Sequence, residues 1–500
     1  MSISAGGWTG SGGVGQDLAG RRAGPTVRGV TTGSASGIPQ VTSLRPIAVA
    51  AYGPTILSSV GTGAVLPVLA LTARDLGASV GTAAVVVALL GVGMLAGDLP
   101  AGALAARIGE RRALLAASLA EAVAMAAAGL APSVLTLGAA VLALGLAGSV
   151  FGLARHAYLA EAVAPTLRAR ALSTLGGVHR VGIFVGPFVG ALTLGWWGSI
   201  GPYAVGVLAA LAAAVLVAVT PDLALRDAAR RADRIGRVER LSQAGQERRA
   251  GQEGRAGQEG QPSQAAEAGP ANQPGRGTAT QARLTVLSVL RAHRRVLTTL
   301  GLGVLAVSAT RAARNAIVPL WAEAIGLDAA STSIVFGLSG AADMLLFYPA
   351  GWAMDRFGRV HVAVPSMLVL GLGMLLVPLV GTFWGLVVVA TVLGIGNGIG
   401  SGILMTLGAD ASPEVGRAQF LGGWRLMGDI GWAGGPALVS AVAVVASLGW
   451  ASVTMGLLAW VGAAWLRVWV PRFDPIRRGP ASAPRPDPPP NSGPASTPRP

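Results

Sequence analysis

Ionisable side chains stand in the middle of several long apolar stretches of this 500-residue chain. A charge at mid-bilayer is costly, so such residues usually face a cavity or an oppositely charged partner. Carboxylates in that setting can take up and release protons, and guanidinium groups can bind carboxylate or phosphate groups of a solute. The candidates are Arg180, Arg311, Arg314, Asn315, Asp343, Arg425 and Asp429, with Glu121 and Arg155 as further charged residues.

The spacing of these residues suggests roles. Arg311 and Arg314 are three positions apart and share one helix face. We predict that this face lines a cavity and contacts an anionic or polar substrate group; pairing with Asp343 is the alternative. We also predict that Asp343 or Asp429 carries a coupling proton, the alternative being a fixed buried ion pair that only aligns helices.

The composition requires membrane-spanning elements to position these residues. The chain is 52% hydrophobic and 12% charged, whereas an average soluble domain carries about 25% charge. It has no cysteine and four histidines, so neither a disulfide framework nor an evident metal site is predicted. No phosphate-binding GxxxxGK[ST] loop and no Ser-His-Asp or paired-carboxylate signature is present, which argues against an ATP-driven pump and an enzyme, and no cofactor is predicted.

The apolar residues fall into segments close to the ~20 residues that a helix needs to cross a bilayer. We predict an all-α integral membrane protein with twelve transmembrane helices. The predicted segments are 46–72, 80–104, 112–131, 133–158, 170–195, 199–219, 296–322, 331–353, 362–381, 384–408, 417–443 and 447–470.

Polar segments separate and flank two groups of six. Residues 1–45 are rich in Gly, Ser and Thr, and 471–500 are rich in Pro, so both are predicted to be disordered tails. Residues 221–295 contain the hexads AGQERR, AGQEGR and AGQEGQ and predict a cytoplasmic linker, either a flexible spacer or a partner-binding segment. Two six-helix bundles, 46–220 and 296–470, remain.

Arginine placement predicts the orientation. The net charge is +15, and in so apolar a chain this is more typical of cytoplasmic loops than of nucleic-acid binding. When loops are assigned alternately to two sides, one side receives nearly all the arginines and the other receives Arg74. The positive-inside rule predicts a multi-pass plasma-membrane protein with both termini in the cytoplasm.

The two bundles are copies of one another at an offset of 249 positions. LPAGALAARIGER at 99–111 matches YPAGWAMDRFGR at 348–359, and 168–187 matches 417–436. The matched pairs include Pro100 and Pro349, Arg107 and Arg356, Gly109 and Gly358, Gly182 and Gly431, and Pro187 and Pro436. Duplicated halves of this kind are a transporter architecture, with substrate handled between them.

The first of these motifs resembles the signature of the major facilitator superfamily, which reads roughly G-x-L-A-D-R-x-G-R-R between helices 2 and 3. The chain reads GALAARIGERR at 102–112 and GWAMDRFGR at 351–359. The signature Asp is Ala106 in the first copy and Asp355 in the second. Asp98, one turn before Gly102, is a candidate substitute for the missing carboxylate.

The resemblance implies that this cluster latches the two halves in one conformational state; an anchor that only sets topology is the alternative. Physically, Gly102 and Gly351 should allow a neighbouring helix to pack closely, and Gly109 and Gly358 should permit a sharp reversal. The complete predicted conformational motif is Asp98, Gly102, Arg107, Gly109, Arg111, Gly351, Asp355, Arg356, Gly358 and Arg359. The family fold also implies that helices 5 and 8 meet, as do helices 2 and 11, which makes an Arg180–Asp343 pair possible.

A second pattern lies in helix 5. Its glycines Gly182 and Gly186, followed by Pro187, resemble a pattern associated with drug–proton antiporters. The pattern recurs in helix 11 as Gly431, Gly435 and Pro436, so general helix packing is the alternative.

The sequence therefore predicts a monomeric secondary transporter that uses alternating access, with proton-coupled efflux of a small organic molecule as the leading function. Proton-linked uptake of a metabolite, a membrane enzyme or flippase-like protein, and a non-transporting membrane sensor are the alternatives. The expected partners are the lipid bilayer, a small-molecule substrate and protons, and no nucleic acid.

Overall fold

The computed structural model describes residues 48–163, 165–220, 286–413 and 415–473 of the chain. Residues 1–45, the hexad repeats and residues 474–500 of the predicted C-terminal tail lie outside the described residues, and the first residues of that tail continue a helical turn, Val470–Arg472. Within the described parts, twelve helices are long and apolar enough to cross a membrane. The predicted all-α membrane fold with twelve spans is confirmed, and each predicted segment overlaps one of these helices.

The first half contains six membrane helices. The first is divided at a turn into α1a (Ala48–Val65) and α1b (Leu69–Asp75). The others are α2 (Val80–Ile108), α3 (Glu110–Gly129), α4 (Val134–Ala162), α5 (Pro165–Trp197) and α6 (Ile200–Val219).

The second half repeats this plan. Its first membrane helix, α7 (Leu302–Ala324), continues a short turn Arg294–Val296 and a π-helical turn Leu297–Gly301. The others are α8 (Ala329–Phe357), α9 (Val360–Leu376), α10a (Phe383–Ile399), α10b (Ile403–Ala411), α11 (Arg417–Val445) and α12 (Leu448–Trp469).

The helix boundaries have local causes. The side chain of Ser79 caps α2 by accepting from Thr82 N, and Asp328, at the equivalent repeat position, caps α8 by accepting from Ser331 N. The tight reversals that follow these helices use Gly109 (φ 85°) and Gly358 (φ 93°), a backbone region that only glycine adopts easily. These two glycines therefore have the predicted role.

The end of the segment predicted as a linker, which extends to residue 295, contains a helix. Val286–Ala292 packs against the start of α11. Val289 is buried, and the His293 ring meets the Phe420 ring edge-on at 5.7 Å. Apolar side chains between the arginines are buried at this contact. The average composition of the predicted linker does not reveal these few residues.

The halves meet along two seams. The α2–α11 seam joins α2 of the first half to α11 of the second, and the α5–α8 seam joins α5 to α8. Within each half, α1a packs on α5 and α7 packs on α11 through small residues that let backbones approach. The seams bring the ionisable residues of the two halves together.

Candidate functional site

Two ends of the helix bundle serve as reference points. The Arg-rich end is the end at which α2 leaves and α3 enters, and the opposite end is where α1b leaves and α2 enters. Arg180, Asp343 and Asp429 each lie near the middle of a long helix, between these ends. The structure thus places the sequence-predicted charges at the depth where they are most costly and most informative.

The α5–α8 seam contains the ion pair that the family fold implied. Arg180 Nη1 is 2.5 Å from Asp343 Oδ1, and the side chains are 17% and 11% exposed. Asn397 Nδ2 donates to the other carboxylate oxygen of Asp343 at 2.8 Å. The Arg180 guanidinium lies over the Phe347 ring, 4.7 Å from its centroid. Asp343 is therefore paired with a cation and hydrogen-bonded at both oxygens.

The two arginines of α7 lie near this pair without bonding to it directly. Arg311 Nη2 donates to the backbone oxygen of Asn397 at 2.7 Å, and Arg314 Nη1 donates to Ser339 Oγ at 3.3 Å. Each arginine keeps a buried Nε without a hydrogen-bond partner, and so does Oδ1 of the buried Asn315. On α7 from 311 to 320 only the two arginines are partly exposed. Their unsatisfied polar atoms and partial exposure leave capacity to bind a solute.

The α2–α11 seam contains two acids and one base. Arg425 Nε donates to Asp98 Oδ2 at 3.0 Å and lies 3.7 Å from Asp429 Oδ2. Ser149 Oγ also donates to Asp98, and Asp98 and Asp429 contact the same Arg425 side chain. Asp429 is buried, and its Oδ2 has no hydrogen-bond donor. Asp98, named from the sequence as a substitute for a motif carboxylate, thus contacts the second half of the molecule.

The first half holds a further buried polar group. Glu121 on α3 is 3% exposed and accepts one hydrogen bond, from Ser58 Oγ at 3.0 Å. The His179 ring nitrogen Nδ1 is 2.6 Å from Ser59 Oγ. His179 is therefore directed to α1a, away from the seam that its neighbour Arg180 occupies.

Sequence reasoning also missed a contact between the halves at the opposite end. Arg74 at the end of α1b donates through Nε to both carboxylate oxygens of Glu323 on α7, at 3.0 Å each. These two residues are 249 positions apart, which is the repeat offset. The repeat offset could have indicated this contact. Residues at equivalent positions can meet only near the axis that relates the halves, and these two carry opposite charges.

In the second copy of the conformational motif, Arg359 bonds within its own half. Arg359 Nε lies 2.8 Å from Asp410 Oδ2, while Asp355 is 83% exposed and 3.8 Å from Arg359. The exposed Arg356 lies over the ring of Trp352, 5.9 Å from its centroid, and Arg107 is also exposed.

The predicted close packing at two motif glycines is wrong for this structure. A Cβ at Gly102 would meet only Leu153, at an ordinary 3.7 Å, and one at Gly351 would have nothing within 4 Å. The reason is that this part of the seams, towards the Arg-rich end, is not closed over the glycines.

The helix-5 pattern serves packing in both halves. Gly186 faces the backbone of α1a at Val60 and Ala64, and Gly435 faces that of α7 at Ala309. Gly182 and Gly431 make corresponding close contacts with Ser59 and Ser308. Pro187 and Pro436 each follow the second glycine inside a helix. Because one role explains both copies, the pattern does not single out export.

Comparison with known proteins agrees with this architecture. A POT family transporter solved in complex with a thioalcohol-conjugated peptide is 12% identical, with a TM-score of 0.62 over 86% of this chain and 96% of that chain. A POT family transporter in complex with 5-aminolevulinic acid gives 12% identity and a TM-score of 0.61 over the same shares. A D-xylose–proton symporter gives 14% identity and a TM-score of 0.60 over 86% of this chain and 98% of that chain. These likenesses show a shared fold.

No curated protein sequence matches the chain. The family model of the Major Facilitator Superfamily, however, matches residues 55–308 and 300–498, which together include both six-helix halves. With the twelve spans, the repeat and the motif copies already described, this match means that the chain is a membrane transporter and belongs to the Major Facilitator Superfamily.

Proposed function

We propose that the protein is a proton-coupled secondary transporter that binds an anionic small organic molecule between its halves and works by alternating access. The observation that carries the proposal is the α2–α11 seam, where two carboxyl groups face one guanidinium. One cation balances one carboxylate, so the second acid is most stable with a proton. When only one conformation of the seam stabilises this proton, binding and release of the proton are coupled to the conformational change.

The assignment of the proton to this seam follows from comparing the acids. Asp343 already has the Arg180 cation at 2.5 Å and an amide donor at 2.8 Å. Asp429 has its cation at 3.7 Å and a buried oxygen without a donor. Between the two acids named from the sequence, we therefore choose Asp429, acting together with Asp98.

The proposed substrate contact is the arginine face of α7. Arg311 and Arg314 are partly exposed, and each keeps a buried Nε atom without an acceptor. A carboxylate or phosphonate group can accept from such a guanidinium pair, whereas an uncharged sugar offers no charge to balance it. We expect the solute to carry at least one negative charge.

The proposed state of the structure is closed at the opposite end and accessible from the Arg-rich end. The Arg74–Glu323 pair joins the halves at the opposite end. In the part of the α5–α8 seam nearer that end, the two helices pack closely, because a Cβ at Gly337 would lie 2.6 Å from the Phe188 ring. The positive-inside rule supports placing the Arg-rich end in the cytoplasm of a plasma-membrane protein. This would make the structure an inward-facing state of a monomer.

The direction of solute movement stays a prediction. The helix-5 pattern led to drug efflux by antiport, and its glycines also have a packing explanation. Uptake by symport is the second candidate, favoured by the D-xylose–proton symporter among proteins of the same fold. The test below distinguishes the two by the sign of the proton movement.

Purified protein in liposomes that contain the pH dye pyranine provides the test. The solutes are 5-aminolevulinic acid as a carboxylate, D-xylose as an uncharged control and the cationic dye ethidium for the efflux prediction. We expect the carboxylate alone to move with a pH gradient. We expect Asp429→Asn and Asp98→Asn to lose gradient-driven accumulation while keeping exchange of labelled for unlabelled solute, because exchange needs no net proton movement.

Asp343→Asn is the matched comparison on the other seam. If it alone abolishes gradient-driven transport while both α2–α11 variants keep it, the proton is carried at Asp343 and the assignment is wrong. Full pH-driven transport in all three variants rejects proton coupling through these acids. Movement of ethidium against its gradient, with protons moving in the opposite direction, would support the prediction of drug efflux by antiport.

A further inference from the structure

A crevice opens between α9 and α12 at the Arg-rich end. It has a volume of about 490 Å³ and is lined by Val360, His361, Val364, Pro365, Arg467 and Pro471. It lies on the outer surface of the second half, where α9 begins and α12 ends, and not between the halves. At this depth the surface of a membrane protein meets lipid headgroups.

The equivalent place in the first half is filled by the protein itself. There Arg111 extends across the junction of α3 and α6 and donates to the backbone oxygens of Val217, Ala218 and Thr220 at 3.1, 2.9 and 2.7 Å. The repeat equivalent of Arg111 is Val360, whose side chain is too short and too apolar to do this. The second half therefore has a gap where the first half has an internal cation.

The chemistry of the gap is cationic at its mouth and apolar below. Arg467 and His361 are exposed, and Arg467 makes no ion pair with any residue that the structure describes. Deeper along the same two helices, the exposed side chains of Leu368 and Trp460 lie together, with Trp460 Nε1 donating to the Leu368 oxygen at 3.1 Å. A ligand that fits both parts has an anionic head and a long apolar tail.

We propose that this crevice binds one anionic phospholipid, with its phosphate at Arg467 and His361 and an acyl chain along Val364 and Leu368. Basic pockets between membrane helices recognise such headgroups through charge, with the membrane supplying the apolar part of the binding energy. The site does not depend on which solute the protein transports or on which acid carries the proton.

Native mass spectrometry of the full-length protein, titrated with phosphatidylglycerol in detergent, tests the proposal. We expect phosphatidylglycerol to bind more tightly than phosphatidylcholine. Arg467→Gln should weaken phosphatidylglycerol about fivefold, the effect of one surface cation. Val364→Phe keeps the charge and adds a ring where the acyl chain should lie, so it should weaken binding as well.

Arg112→Gln is the matched control. Arg112 is an exposed arginine at the repeat equivalent of His361, in the half without the gap. If it weakens binding as much as Arg467→Gln does, the protein attracts lipid by general charge and the crevice is not a site. Equal binding of phosphatidylcholine also overturns the proposal. Displacement of the lipid by millimolar inorganic phosphate would show a site for free phosphate instead.

Discussion

The two seams occupy equivalent positions in the internal repeat, yet their buried charged residues are arranged differently. In the α2–α11 seam, Asp98, Arg425 and Asp429 meet at mid-depth. The residues at the equivalent positions of the α5–α8 seam are Phe347, Gly176 and Arg180. There the single cation lies over the Phe347 ring and pairs with an acid, Asp343, that the other seam lacks.

The difference shows which seam can change its charge. The Arg180–Asp343 pair of the α5–α8 seam has one acid and one base, both hydrogen-bonded, with the cations Arg311 and Arg314 of α7 nearby. The α2–α11 seam holds two acids for one base, and a proton makes it neutral. Duplication supplied one scaffold twice, and differences at four equivalent positions, including Met94 and Asp343, gave one copy a fixed pair and the other a titratable group.

The largest expected effect comes from removing the base of each seam. Arg180→Gln leaves Asp343 buried without its cation, and we expect a loss of about 3 kcal/mol in the free energy of unfolding. Arg425→Gln should cost about 1 kcal/mol, because Arg425 is 38% exposed and Asp98 keeps the hydrogen bond from Ser149. SDS titration of both variants in mixed micelles measures the difference.

The control for this prediction is the double variant Arg180→Gln with Asp343→Asn. It removes the uncompensated charge, so most of the lost stability should return. If Arg425→Gln destabilises the protein as much as Arg180→Gln, the α2–α11 seam cannot neutralise itself and the contrast between the seams fails.

A smaller effect is expected from a methyl group added at equivalent glycines. A Cβ at Gly91 on α2 would lie 2.6 Å from the Ala433 backbone nitrogen on α11. The equivalent Gly340 on α8 would place it at 3.4 Å from the Phe184 Cα. We expect Gly91→Ala to cost about 1–2 kcal/mol through forced separation of backbones. Gly340→Ala should be neutral or slightly stabilising, since Ala favours helix by up to about 1 kcal/mol.

The same SDS titration decides this second comparison, with each glycine serving as the control for the other. Equal losses for the two variants would show that both seams are packed equally closely. A loss at Gly340 alone would reverse their order, and the α2–α11 seam could no longer be regarded as the tighter one.

Much of the fold could be predicted because its causes are local. Apolar runs of bilayer length give the twelve spans, and Gly109 and Gly358 give the tight reversals. The repeat offset follows from matched motifs without any knowledge of packing. The helix at Val286–Ala292 was missed because its stability comes from burial against α11, which no local pattern in an arginine-rich segment reveals.

The site could be predicted only in part. Charged residues in apolar segments identify the candidates, because a charge at that depth requires a partner or a cavity. The partner of each charged residue depends on how its helix is rotated about its own axis and on which helices meet at the seams. For this reason the sequence assigns Asp98 to the motif without indicating its contact with Arg425. It offers pairing with Asp343 as the alternative role of Arg311 and Arg314, without indicating that Asn397 bonds to both Arg311 and Asp343.

The smallest expected effect lies on the axis between the seams, where the halves meet through equivalent residues. Arg74 and Glu323 are 32% and 34% exposed, so their pair should contribute at most about 1 kcal/mol to closure of the opposite end. Ser440, buried beside Gly81 in the α2–α11 seam, reports that closure when replaced by cysteine, because the chain has no other cysteine. In the Ser440→Cys background, Arg74→Glu should raise the rate of maleimide labelling by up to about fivefold.

Exchanging the charges, with Arg74→Glu and Glu323→Arg together, should restore the slow rate, because a rotation that relates the halves also interchanges these positions. Fast labelling in the exchanged variant would mean that the pair is held by its surroundings, such as the bond from Arg74 to the Ala78 oxygen at 2.5 Å, and that the symmetry of the halves does not extend to their axis.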